Sequence, residues 1–196
     1  MSAADASENV ESSVDAVKNA GIAAIGRYYS SSHQKRLTRD EALAISAAGL
    51  EIFVVFEDGA APALTFDRGV RDAQIALAQA SAVQQPANTA IYFALDSELG
   101  DDALAGVRAY FSGIAATVAG KYKLGVYADG LVCGALLDDG TCSYAWLSAS
   151  SSFPGTHDFY ASKRWALAQS AVPKTVGEVQ FDLDETDGDF GGFTVT

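Results

Sequence analysis

The stretch Thr38-Arg-Asp-Glu41-Ala-Leu-Ala-Ile-Ser-Ala-Ala48-Gly49-Leu50-Glu-Ile-Phe-Val-Val-Phe56-Glu57-Asp58 decides the fold. Thr38 and Glu41 stand three apart at the head of an Ala-rich amphipathic segment. This is the spacing of a capping box, in which each side chain bonds the other's free backbone amide. Gly49 follows the last helical residue, where a left-handed conformation satisfies the dangling carbonyls. A β-branched and aromatic run starts immediately afterwards and ends on two acids. Short apolar strands after such turns belong to parallel sheets covered by helices.

The same unit occurs on either side. Residues 10–20 pass through Gly21 into a run at 22–27, and residues 107–119 pass through Gly120 into a run at 122–127. Further strands are predicted at 89–95, 144–148, 164–168 and 178–183, with a helix over 67–84. Seven strands are legible. An eighth at Ala3 to Asp5 would have almost no length. After residue 144 the strand starts are too close together for full-length helices between parallel neighbours. The expected fold is therefore α/β, a small single (β/α) barrel of the TIM type over residues 1–196, with reduced helices in its second half. A doubly wound open sheet is the rival, weakened because no G-x-G-x-x-G follows the first strand.

Composition narrows the function. With 196 residues, 49% hydrophobic and 19% charged, the chain has the profile of one globular domain. A formal charge of −12, from 25 acidic and 13 basic residues, repels phosphate backbones and anionic lipid, so nucleic acid is not an expected partner. No run approaches the roughly 20 apolar residues of a membrane span, and residues 1–8 lack a signal-peptide layout. Cys133 and Cys142 are close enough in sequence to close a small surface loop; the other reading is two free thiols. Two cysteines and two scattered histidines suggest no metal site, and no cofactor motif is present. His33 and His157 sit in polar segments without a G-x-S-x-G, which argues against a Ser-His-Asp mechanism.

In a closed (β/α) barrel the site lies at the carboxyl ends of the strands. Here those positions are acidic: Glu57 and Asp58 after one run, Asp96 and Glu98 after the next, Asp129 after a third, Asp182 and Asp184 in the last, and Asp5 before the first helix. Any one of them alone reads as a helix cap or a solvated loop residue. Their recurrence across strands favours a site. Asp96 and Glu98, two apart on a strand, would point to one face about 6–7 Å apart. Crowded carboxylates cannot all ionise easily, so one becomes a proton donor while its neighbour stays charged, as glycosidic cleavage requires. Glu98 is the expected donor and Asp96 its partner. Aromatic residues interleave with the acids. Tyr92 and Trp146 read as core, whereas Tyr28, Tyr127 and Trp165 lie nearer strand ends and suit stacking on sugar rings.

Six segments carry a family resemblance: Ala20-Gly-Ile-Ala-Ala-Ile-Gly-Arg27-Tyr28-Tyr29, Leu37-Thr-Arg-Asp-Glu41, Ile91-Tyr-Phe-Ala-Leu-Asp96, Leu124-Gly-Val-Tyr127, Trp165-Ala-Leu-Ala-Gln169 and Phe181-Asp182. Through most of its length the sequence resembles the secreted bacterial glycoside-hydrolase-like domains of unknown function related to the family twenty-five barrel muramidases. The resemblance implies that Asp96-Ser97-Glu98 matches the muramidase D-x-E motif carrying the acid. It also implies that Asp182 matches their late-strand aspartate and Asp5 the first-strand one, although the first strand is nearly missing here. The expected catalytic set is Glu98, Asp96 and Asp182. The expected substrate-binding set is Asp5, Arg27, Tyr28, Glu57, Tyr127, Trp165, Gln169 and Asp184. The expected function is hydrolysis of a cell-wall polysaccharide such as peptidoglycan, by a monomer that is secreted or held in the cell envelope. The alternative is an inactive carbohydrate-binding module with the same pocket.

Overall fold

A computed structural model describes residues 2–58 and 63–196. Strands β1 (Ser2–Asp5), β2 (Ala24–Tyr29), β3 (Glu51–Phe56), β4 (Ala90–Ala94), β5 (Lys123–Ala128), β6 (Tyr144–Leu147) and β7 (Leu167–Gln169) lie side by side and parallel in chain order. Strand β8 (Lys174–Val176) forms a hairpin with β9 (Val179–Thr186). Strand β9 pairs with both β7 and β1, which closes an eight-stranded TIM-type barrel.

The helices are α1 (Val14–Asn19), α2 (Arg39–Ala47), α3 (Phe66–Val83), α4 (Leu104–Val118), α5 (Gly130–Asp138) and α6 (Thr156–Ser162). From α3 onward they shorten, from 18 residues in α3 to 7 in α6, the thinning that the strand spacing implied, although α1 with 6 residues is shorter still. Gly49 has φ +80 after α2, as its place behind a helix demands. The capping box forms only in half. Thr38 accepts from the Glu41 amide, but the Glu41 carboxylate turns inward instead of bonding back to its own cap.

Two features differ from the sequence reading. The first strand is four residues long, yet it is a full member of the barrel with a partner on each side. The last strand runs antiparallel to both neighbours. A parallel return needs a crossover of a dozen or more residues, and only nine separate Gln169 from Val179. The chain therefore turns over at the hairpin and descends. Asp182 and Asp184 are consequently not residues past a strand end but successive inward positions within a strand.

Strand alternation divides the apolar residues between two layers. One set packs between strands and helices; the other fills the barrel with Phe53, Tyr92, Trp146 and Phe190. Gly125 lies against the Tyr92 ring so closely that a Cβ would overlap it, and small strand residues of this kind make room for the large rings. The lower barrel is filled by these rings, and a cavity opens at the upper mouth. Cys133 and Cys142 are buried free thiols, so the surface-loop disulfide does not describe this structure.

Candidate active site

At the carboxyl mouth a cavity of about 320 Å³ is lined by Tyr28, Glu57, Asp96, Tyr127, Trp146, Gln169 and Asp182, together with Ser7, Lys35, Val55 and Ala94. Its size is at the lower end of small-molecule sites, about 300–1,000 Å³. A second recess of about 260 Å³ shares Ser7, Tyr28 and Asp182 with it and adds Asp5 and Glu8. Asp182 thus stands where the two spaces meet.

Barrel geometry explains the convergence. Asp5 ends β1 opposite Asp182 in the register, while Asp184, two residues further down β9, lies opposite Ala3 and Gln169. Asp5 is buried and accepts from the Tyr28 hydroxyl at 2.7 Å and from Gln169 Nε2 at 2.8 Å. Gln169 in turn accepts from the Tyr127 hydroxyl at 2.9 Å. Asp184, also buried, accepts from the Trp146 indole at 2.7 Å.

Burial dominates the electrostatics. It pushes the Asp5 carboxyl up to about 6 against the two hydrogen bonds that favour the anion, with Asp182 and Glu57 adding repulsion. The Asp184 carboxyl is driven well above the usual range by burial and by its neighbour Asp5. The Asp182 carboxyl, nearer solvent, is raised by desolvation as well. Tyr28 and Tyr127 are pushed far upward and stay neutral hydrogen-bond donors.

Of the expected site residues, Asp5, Tyr28, Glu57, Asp96, Tyr127, Gln169, Asp182 and Asp184 come together in or directly beneath this mouth. Three lie elsewhere. Arg27 points outward from β2 and is fully buried against α2, where Nε donates to Glu41 at 2.7 Å and Nη1 to the Ala6 carbonyl. It follows Gly26 and precedes Tyr28, and strand alternation sends the two side chains to opposite faces. Trp165 precedes β7 and so lies toward the opposite end of the barrel. It stacks on Tyr160 with ring centroids 5.6 Å apart and donates to that residue's carbonyl. Glu98 is exposed and does not line the cavity. Strand β4 stops at Ala94 and the chain bends at Ser97, so two-residue alternation does not carry through positions 96 and 98.

Lys35, Ser7 and Trp146 are cavity residues that pattern reading missed. Lys35 bonds Glu57 at 2.9 Å and lies 4.2 Å over the Tyr28 ring, but it comes from a polar loop with no periodicity to mark it. Trp146 was legible only as core; it is core, and its ring also forms part of the cavity wall. Asp129 follows the bland reading: it caps α5 through the Val132 amide, and its other oxygen accepts from Leu99. Among the described residues no three His, Cys, Asp or Glu side chains group as a metal cage.

A closed barrel with a carboxylate-lined, aromatic-walled cavity at its carboxyl mouth defines a glycoside-hydrolase-like domain. The chain belongs to the Rv2525c-like, glycoside hydrolase-like domain family, whose model matches residues 15–189. Among curated proteins it is 27% identical over 194 residues to the uncharacterized protein YbfG of Bacillus subtilis (strain 168), covering 88% of this chain and 26% of that one. It spans about a quarter to a third of the length of the curated relatives it matches. The solved Mycobacterium tuberculosis Tat-secreted protein Rv2525c, in complex with L-tartrate, superposes with a TM-score of 0.85 at 22% identity over 97% of this chain and 98% of that one. A family 25 glycosyl hydrolase from Bacillus anthracis superposes with a TM-score of 0.65 at 12% identity, over 96% and 89% of the two chains. At these identities the structural likenesses establish the fold. No helix of the described residues is long and apolar enough to cross a membrane.

Proposed function

We propose that this domain cleaves a glycosidic bond in a cell-wall polysaccharide such as peptidoglycan, outside the cytoplasm. The observation that carries this reading is that Asp182 and Asp96 line one cavity together with the aromatic side chains Tyr28, Tyr127 and Trp146. Asp182 is assigned the donor role in preference to Glu98, because it lines the cavity and partial desolvation raises its carboxyl even though the residue is exposed. It would protonate the leaving oxygen as the C–O bond breaks. Asp96, exposed at the rim, would stabilise the positive centre or orient the incoming water. Water supplies the hydroxyl at the sugar carbon and its proton restores the donor. Tyr28 and Tyr127 donate no proton but hold the wall rigid through Asp5 and Gln169.

Incubation with purified peptidoglycan and mass spectrometry of the products tests the proposal. The wild-type chain should release sugar fragments. Asp182→Asn and Asp96→Asn should each lower the rate by about 10²–10⁴-fold, the usual loss of a general acid or base. Glu98→Gln should cost far less; the reverse ranking would return the donor role to Glu98. No release at any pH would remove the hydrolase reading. The second reading, a glycan-binding module without turnover, is favoured by the position of Glu98 outside the cavity. It predicts saturable glycan binding, weakened by changes at Tyr127, with no cleavage.

A further inference from the structure

Four side chains of the cavity wall hang on two carboxyl groups beneath it. Tyr28 and Gln169 donate to Asp5, Tyr127 donates to Gln169, and Trp146 donates to Asp184. Asp5 has one donor on each of its oxygens. Asp184 has a donor only on Oδ1, and its Oδ2 is buried without one. A buried carboxylate oxygen without a donor is costly.

Among the described residues no ion pair reaches Asp5 or Asp184, and the nearby cation Lys35 is engaged with Glu57. The groups that face the pair are Asp182 from β9, Glu57 just past β3, and the hydroxyls of Tyr28, Tyr92 and Tyr127 from β2, β4 and β5. All are acids or neutral donors. Asp184 and Asp5 are both buried and occupy diagonal positions on the paired strands β9 and β1, since Asp5 lies opposite Asp182 and Asp184 opposite Ala3, so the unpartnered Oδ2 and the Asp5 carboxyl share one face of the barrel. Two anionic carboxylates cannot bond each other; a carboxylic acid and a carboxylate can.

We propose that Asp184 is a carboxylic acid at neutral pH whose Oδ2–H donates to Asp5, so that the two residues share one proton and one negative charge. Asp184 is thereby a positioning residue. One proton ties Trp146 to Asp5, and through Asp5 it fixes Tyr28, Gln169 and Tyr127 around the cavity. The inference does not depend on what the cavity binds or whether turnover occurs.

Carbon-13 NMR of the full chain with labelled aspartate tests it. At neutral pH one aspartate carboxyl carbon should resonate at the protonated position, and that signal should vanish in Asp184→Asn. The asparagine is a mimic of the neutral acid: its carbonyl accepts from Trp146 and its amide donates to Asp5. Asp184→Asn should therefore keep the wild-type thermal midpoint and tryptophan emission at neutral pH, whereas Asp184→Leu should lose both. The proposal is overturned if every aspartate carbon is ionised at neutral pH, or if Asp184→Asn disrupts the protein as much as Asp184→Leu. Peptidoglycan digestion plays no part in either readout, so a failed hydrolase reading would leave this test intact.

Discussion

Arg27 and Tyr28 are consecutive residues of β2, and each leads to a buried charged cluster, one on either face of the strand. On the helix side Arg27 meets Glu41, and both side chains are fully buried. Opposite charges cancel there, and Glu41 also accepts from the Val10 amide at 2.9 Å. On the barrel side Tyr28 meets Asp5, with Asp184 beneath, and among the described residues no ion pair reaches either acid. Depth is the same in both places, but the chemistry differs. A compensated pair settles its charges permanently and serves the fold. An uncompensated pair of acids must settle them with a proton, which makes it responsive to pH. The first cluster carries the residue that sequence reading placed in the site; the second is the site's foundation.

The strongest way to break this contrast is to remove one partner of the compensated pair. Glu41→Leu leaves Arg27 buried alone and should cost about 3–5 kcal/mol in denaturant unfolding. Adding Arg27→Met should recover most of that loss, because the apolar pair removes the stranded charge. A loss below about 1 kcal/mol for Glu41→Leu would mean that Arg27 reaches solvent after all.

A second test uses pH on the barrel side. The Asp5 carboxyl sits at about 6 in the native state against 3.8 for an ordinary aspartate. The folded protein therefore binds more protons than the unfolded chain between those values. Its contribution is fully present below about pH 4 and is lost as pH rises through about 6, a change of order 2–3 kcal/mol. Thermal midpoints followed across this range should fall with rising pH, and Asp5→Asn should make the slope shallower, the remaining slope belonging to Asp184. An equal slope in wild type and Asp5→Asn would place the proton elsewhere.

Smaller effects sharpen the outline of the site. Tyr127→Phe deletes the hydrogen bond to Gln169 and should cost about 0.5–1.5 kcal/mol of stability, with weaker saccharide binding in titration calorimetry. Trp165→Phe should leave saccharide affinity unchanged, since its ring packs on Tyr160 away from the cavity. A clear loss of affinity there would show that the binding surface extends beyond the mouth.

Much of the scaffold could be read from local pattern. Gly21, Gly49 and Gly120 announce three helix ends, and each adopts a positive φ. The runs that follow them form β2, β3 and β5 within two residues of the expected starts. Shortened connections foretold the small helices of the second half. The site was half legible. Acids near strand ends marked Glu57, Asp96 and Asp182, but the same rule could not separate Asp96 from Glu98, because it depends on where β4 stops. It also promoted Trp165, whose distance from the mouth depends on β7 beginning at Leu167 instead of residue 164. Lys35 left no mark, since an isolated lysine in a polar loop has no period.

Periodicity, helix-ending glycines and connection length thus determined by themselves that this chain alternates helices with parallel strands and gathers carboxylates at one end. Those signals act over a few residues, where backbone sterics and burial of one face suffice. The descent of β9 and the placing of Asp5 beside Asp184 were decided only by tertiary structure. They depend on barrel closure bringing the first and last strands together, and contacts between residues almost 180 positions apart have no local pattern to announce them.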